Sequence, residues 1–236
     1  MKFAKPFLFL AVPLSFHHVS PCAGNAAEVR TSVREFLDQV ANEDLSPERR
    51  AILDRLVQHL AQQRAQQRDQ GKMINVTFIC THNSRRSQMA QVWFHVAAHV
   101  YNVADIHAYS GGTEVTACNA RTIEALRRSG LEVKQLSEGE NPIYSLRFSE
   151  AAEPIQVFSK VYSQQGNPQH DFVAVMCCDD ADRACPLVEG ADGRFALSYI
   201  DPKVADETPR EQEVYDQRNR QIAAEMLYVI SRVSRL

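Results

Sequence analysis

Residues 75–87 read Asn-Val-Thr-Phe-Ile-Cys-Thr-His-Asn-Ser-Arg-Arg-Ser. Val76 to Cys80 are β-branched, aromatic or apolar, the composition of a strand buried on both faces. From Ser87 to Val100 the apolar residues recur at helical spacing instead. The stretch from Cys80 to Arg86 is therefore the loop that hands a buried strand to the N-terminus of a helix. Such a junction gathers unpaired backbone N–H groups and the positive end of the helix dipole, which together attract an anion. Local charge agrees. No Asp or Glu falls between residues 70 and 104, whereas Lys72, Arg85 and Arg86 do, in a chain of formal net charge −3.

A thiol at such a loop is favoured as its thiolate, the nucleophilic form. A planar guanidinium at Arg86 matches two oxygens of a tetrahedral anion in a way that a lysine cannot. The Ser87 hydroxyl is placed to hydrogen-bond the sulfur. A Cys-x5-Arg spacing alone recurs by chance in a chain this rich in arginine, and it is the strand-to-helix context that gives it meaning. The bland alternative is an inert cysteine at the end of a strand.

Working outward, Asp105–Ser110 reads as a second strand, so strand, helix and strand make a right-handed βαβ unit. A helix is expected over Asn119–Arg128, and buried strands over Asp171–Cys177 and Phe195–Ile200. Thr208-Pro209-Arg210-Glu211 has the form of a capping box opening a last helix whose Tyr215, Ile222, Met226, Ile230 and Val233 form one stripe. Two alternating segments flank Glu150–Glu153 between Tyr144 and Tyr162, the pattern of a β-hairpin. Residues 73–236 thus have the length and period of one α/β domain.

Residues 27–72 are helical throughout. Val29, Val33, Phe36, Leu37 and Val40 fall at helical spacing, then Ser46 and Pro47 cap and open a second helix with the stripe Ile52, Leu53, Leu56, Val57 and Leu60. The polar run 62–70 is expected to carry that helix out into solvent. This region is expected to be a docked helical extension. Residues 1–26 have the layout of a signal peptide: Lys2 and Lys5, an apolar run from Phe7 to Phe16 broken by Pro13, and small residues from Ala23 to Ala27. They predict export to the periplasm, with a cytoplasmic protein as the alternative. Pro21 makes Cys22 a poor lipid anchor.

The 236 residues are 44% hydrophobic and 23% charged, which excludes a disordered chain and a basic nucleic-acid binder. No apolar run approaches the ~20 residues of a membrane span. No cofactor or metal is expected. His95 and His99 stand four apart on a helix but lack the zincin glutamate, and Asp179, Asp180 and Asp182 lack the glycine and last glutamate of a calcium loop. Oligomeric state leaves no signal in the sequence.

Residues 75–92, NVTFICTHNSRRSQMAQV, resemble the phosphate loop of the low-molecular-weight protein tyrosine phosphatases and of their relatives, the thioredoxin-coupled arsenate reductases. The likeness continues through Ser110-Gly-Gly-Thr-Glu114, Asn119, Ala174–Pro186 and Asp201-Pro202. It implies a four-stranded parallel sheet with flanking helices. On the matching positions it implies Cys80 as nucleophile, Arg86 as oxyanion clamp and Asp201 as general acid. His82, Asn83, Ser84, Arg85, Arg86 and Ser87 would surround the oxyanion. This chain departs from the family at His82, where glycine is usual and a larger side chain is expected to constrict the loop or alter its backbone. The helices of 27–72 and the hairpin are absent from the family's smallest members. Lys203-Val204-Ala205 replaces the tandem tyrosines that line a slot for an aromatic substrate, so a slot must come from Trp93, Tyr144 or Tyr199, or not exist.

Cys178-Asp-Asp-Ala-Asp-Arg-Ala-Cys185-Pro186 closely resembles the arsenate reductase segment with two shuttle cysteines. The resemblance implies that Cys80 attacks arsenate, Cys178 attacks Cys80, and Cys185 resolves the disulfide, which a thioredoxin-like partner then reduces. Two other readings stand beside it. One is a phosphatase acting on phosphotyrosine or small phosphomonoesters through Cys80, Arg86 and Asp201. The other is a module that binds an oxyanion or senses redox state without turnover. Cys118 and Cys177 are expected to pack as small hydrophobes. Export conflicts with a thioredoxin-driven cycle, which belongs to a reducing compartment.

Overall fold

Residues 28–67, 71–185 and 187–236 are described by the structure, a computed structural model. The expected leader and Cys22 lie outside the described residues. The decisive strand, β1 (Ile74–Cys80), pairs in parallel with β2 (Ile106–Gly112) on one side and β6 (Phe172–Met176) on the other. β7 (Ala191–Ala196) joins β6 in parallel, giving the order β2-β1-β6-β7. This is the expected four-stranded sheet. Strand order reverses at β1, and in such sheets the crevice beyond the carboxyl end of that strand is where ligands bind. Cys80 is its last residue.

The helix α3 (Arg86–Val100) follows the loop and packs against the long last helix, α6 (Glu211–Val233). Before β1 come α1 (Thr31–Val40) and α2 (Pro47–Gln67), with Arg49 N donating to Ser46 Oγ at 3.2 Å as the cap predicts. The stripe Leu53, Leu56, Val57 and Leu60 is buried in the same apolar core as the sheet. The polar end of α2 does not simply leave for solvent. Gln63 is buried, and Arg64 donates to both oxygens of Asp105 and, at 3.0 Å, to Val233 O.

Three other expectations shift. The fourth parallel strand spans 191–196 rather than 195–200, because β7 is an edge strand and tolerates the polar Asp192-Gly193-Arg194. The apolar run beyond it leaves the strand while Leu197 N and Tyr199 N still donate to Met176 O and Cys177 O at 2.8 and 3.1 Å. The capping box is also offset. Arg210 is the N-cap of α6, and Glu211 Oε2 accepts from Glu207 N at 2.7 Å rather than from Thr208. The expected hairpin is present as β4 (Tyr144–Arg147) and β5 (Ile155–Val157), but β3 (Glu132–Gln135) pairs with β4 to make a three-stranded antiparallel sheet. Its four residues are too short and polar to read as a strand. Between β2 and β3 in sequence lies α4 (Ala120–Arg128), capped by Asn119. Among the described residues no helix is long and apolar enough to cross a membrane.

Candidate active site

The loop from Cys80 to Ser87 is held from several sides. Cys80 Sγ lies 3.0 Å from Ser87 Oγ, which accepts from Asn83 Nδ2 at 2.9 Å. With its oxygen so engaged, the Ser87 hydroxyl is free to direct its hydrogen at the sulfur. Asn83 is the one residue of this loop in the left-handed region (φ 46°), a conformation asparagine tolerates. Its Oδ1 accepts from Lys160 N at 3.1 Å, and its carbonyl accepts from Gln88 Nε2 at 2.9 Å. His82 does not constrict the loop as its size predicts. The imidazole is 44% exposed with Nε2 3.6 Å from Glu114, while the His82 carbonyl accepts from Ser159 Oγ and Thr116 Oγ1 at 2.8 and 3.1 Å. No backbone N–H from Thr81 through Arg85 donates to another backbone group among the described residues. Unspent donors at the start of a helix are what an anion binds.

Arg86 faces a strap formed by Ser198–Asp201. Its Nη1 donates to Tyr199 O at 3.0 Å and its Nη2 to Asp201 Oδ2 at 2.6 Å. Among the described residues its Nε is buried without a partner, an orphaned donor that an oxyanion in the loop would satisfy. Asp201 caps the short 3-10 turn Pro202–Ala205 through Oδ1, which accepts from Lys203 N at 3.0 Å. Arg85 also approaches Asp201, with Nε 3.8 Å from Oδ1. Its Nε donates to Tyr215 OH at 2.8 Å, and Nη2 stands 3.6 Å from Asp206.

A second thiol adjoins the loop. Cys178 is buried at the N-cap of α5 (Asp179–Ala184), where Sγ accepts from Ala181 N at 3.4 Å and lies 3.6 Å from Thr81 Oγ1. Cys185 ends that helix, partly buried, and its carbonyl accepts from Arg194 Nε at 3.1 Å. The five described cysteines are all free. Burial raises the Cys177 thiol well above its usual range and pushes Cys118 up to about 12, so both stay protonated and pack as the sequence suggests.

Beside the loop opens a cavity of about 510 Å³ lined by residues that include His82, Ser84, Arg85, Tyr144 and Lys203. Of the three aromatic candidates for a slot only Tyr144 reaches it. Trp93 is buried in the core with Nε1 donating to Asn219 Oδ1 at 2.7 Å, and buried Tyr199 donates its hydroxyl to Glu225 Oε2 at 2.8 Å. His95 and His99 both pack edge-on against Phe148.

Sequence reasoning missed the outer supports: Gln88, Ser159, Lys160 and Tyr215. Gln88 left a trace, a polar residue on the wholly buried stretch of α3. Burial pulls the Lys160 ammonium down to about 8. The others lie in segments far along the chain with no pattern pointing to the loop.

A family model described as low molecular weight phosphotyrosine protein phosphatase matches residues 75–145. An arsenate reductase of Bacillus licheniformis is 27% identical over 145 residues, covering 61% of this chain and 86% of that protein. An arsenate reductase of Bacillus subtilis is 26% identical over 145 residues with the same coverage of each. Among solved structures, a low molecular weight protein tyrosine phosphatase from T. tengcongensis aligns at a TM-score of 0.44 and 18% identity, covering 67% of this chain and 96% of that one.

Proposed function

We propose that this chain, which matches the low molecular weight phosphotyrosine protein phosphatase model over residues 75–145 and resembles arsenate reductases, reduces arsenate to arsenite through the thiols of Cys80, Cys178 and Cys185. One observation carries the reading. A second buried thiol, Cys178, lies 3.6 Å from the side chain of Thr81, the neighbour of Cys80, with a third at the far end of a six-residue helix. Hydrolysis has no use for either.

In this reading the unspent N–H groups of the loop and Arg86 hold the arsenate oxygens. The Cys80 thiolate attacks arsenic, and Asp201 gives its proton to the departing oxygen, which leaves as water. The Cys178 thiolate then attacks the Cys80 sulfur. An S–S bond forms as the S–As bond breaks, and the electron pair left on arsenic makes arsenite. Cys185 attacks the Cys178 sulfur and frees Cys80. A thioredoxin-like dithiol returns the Cys178–Cys185 disulfide to two thiols, which balances the two electrons given to arsenic. The exchange requires α5 to unwind. Seven residues at ~1.5 Å rise separate the two cysteines by roughly 10 Å, beyond the Cα separation a disulfide allows. A reducing cytoplasm supplies such a donor, whereas an exported chain needs one outside.

The cavity carrying Tyr144 favours a second reading, hydrolysis of an aryl phosphate by Cys80, Arg86, Asp201 and water. Purified protein assayed with arsenate, thioredoxin, thioredoxin reductase and NADPH, beside an aryl phosphate, decides between them. Arsenate-dependent NADPH oxidation is expected. Phosphate release alone would establish the phosphatase, and turnover of neither would leave an oxyanion-binding or redox-sensing module.

A further inference from the structure

The strap from Ser198 to Asp201 supplies both acceptors of Arg86, and part of its anchorage comes from the N-terminal extension. Arg49, in the first turn of α2, donates from Nε and Nη2 to the two oxygens of Glu225 on α6, each at 2.8 Å. Its Nη1 reaches Ser198 O at 3.0 Å, and its guanidinium carbon stands 4.6 Å over the Tyr199 ring. Tyr199 OH donates to the same Glu225, whose side chain is wholly buried and also accepts from Gln221 Nε2 at 3.0 Å. The next contacts in the chain are those of Tyr199 O and Asp201 with Arg86, at 3.0 and 2.6 Å.

Docking of α2 does not need this arrangement. Its apolar stripe is already buried, and Arg64 ties its other end to Asp105 and Val233. A buried ion pair is costly to desolvate and is a poor source of stability by itself. What this one adds is geometric. A rigid planar fork grips a carboxylate, a strap carbonyl and a strap ring together, and so fixes the backbone from which Arg86 is oriented.

We propose that Arg49 is a positioning residue for the oxyanion site, setting the Arg86 guanidinium and the Asp201 carboxylate through Glu225, Ser198 and Tyr199. The proposal rests on reading Cys80–Ser87 as an oxyanion loop, and holds for either reaction. The helical extension is then part of the active-site machinery, although it contributes no group that touches the oxyanion.

The test uses the full chain and inorganic phosphate as probe, with affinity read by calorimetry and by protection of Cys80 from iodoacetamide. Arg49→Met with Glu225→Gln removes the fork without stranding a buried charge. It is expected to weaken phosphate binding about tenfold and to lower turnover roughly ten- to a hundredfold, as misplaced catalytic groups do. Arg49→Lys keeps the charge and the fold but not the fork, and should fall between this variant and wild type. Arg64→Met loosens α2 at its other end and should lower the melting temperature while leaving phosphate affinity within about twofold. Wild-type affinity and turnover in both Arg49 variants would overturn the proposal, as would an equal loss in Arg64→Met. A wild-type protein that bound no phosphate would overturn the oxyanion loop itself, and this proposal with it.

Discussion

Two cysteine-bearing segments meet at the end of the sheet and are built in opposite ways. The loop Cys80–Ser87 is tied by side chains or backbone from Gln88, Thr116, Ser159 and Lys160, and Arg86 is fixed by the strap. The segment Cys178–Cys185 is a single short helix with three exposed or half-exposed aspartates, held from outside chiefly by Arg194 on Asp182 and the Cys185 carbonyl. A cradle for charge developing in a transition state works by being preorganised. A thiol that must change partners works by being able to move. The contrast predicts that substitutions in the first segment harm all chemistry and those in the second only redox chemistry.

Cysteine substitutions press that contrast hardest. Cys80→Ser is expected to abolish arsenate reduction and aryl phosphate hydrolysis alike, by roughly 10³-fold or more, while phosphate still binds. Cys178→Ser and Cys185→Ser should each stop multiple-turnover reduction and leave hydrolysis nearly unchanged. Given arsenate without a donor, the reduced wild type should release about one arsenite per chain and lose two thiols, since one disulfide stores two electrons. Cys185→Ser should release that arsenite and stall as a Cys80–Cys178 disulfide, visible in peptide mass maps. Cys177→Ser should behave as wild type. Five described thiols left free after arsenate would end the relay.

Asp201→Asn tests the strap as a source of chemistry. An amide cannot give a carboxylic proton, so hydrolysis of an aryl phosphate with a poor leaving group should slow roughly 10²–10⁴-fold. The loss should shrink for nitrophenyl phosphate, whose leaving group needs little protonation. Equal losses for both would remove the general-acid role and leave Asp201 only as a partner of Arg86.

A smaller effect is expected at α5. Arg194→Met removes its tie to Asp182 and to the carbonyl of Cys185, so α5 should open more often. Alkylation of Cys185 by iodoacetamide should rise several-fold, with stability lower by about 1 kcal/mol for the hydrogen bonds lost. Phosphate affinity should not change. A Cys185 that reacts no faster would mean that the helix is held by its own packing.

Much of this contrast was legible in the sequence, for physical reasons. The run NVTFIC and the helix after it place the loop at a strand-to-helix junction, and an acid-free window with two arginines gives its charge. Cys178 and Cys185 were found by their spacing and the resemblance it carries. What failed to read depends on partners distant in the chain. The start of β7 did not read as strand because an edge strand need not be apolar on both faces, so the expected strand fell four residues late, and β3 did not read as one because β4 alone organises it. Arg49 looked like any charge in the first turn of a helix. Its role exists only because Glu225, 176 residues later, is buried opposite it.

The smallest effect tests whether the rigid loop is insulated from the far half of its own helix. His95 lies two turns along α3, packed on Phe148 with His99 and His107 nearby, and Glu28 faces His99. Burial, with the two neighbouring imidazoles, lowers its pKa from the usual 6.5 to about 4. As pH falls through 6.5 the unfolded chain takes up this proton and the folded chain does not, so stability should decline from pH 6.5 to about 4 and level below it. Above pH 6.5 His95 contributes no slope. His95→Gln should therefore flatten part of the urea-midpoint profile over that window, with His99, whose pKa is also lowered by burial, accounting for more of it. The ratio of wild-type to variant phosphate affinity should stay near one across the same range, because the loop is held by Asn83, Gln88 and the strap rather than by the end of α3 that titrates. Identical urea profiles would show that His95 is not held neutral by its packing, and an affinity ratio that drifts with pH would show that the loop yields to strain from the distant half of α3.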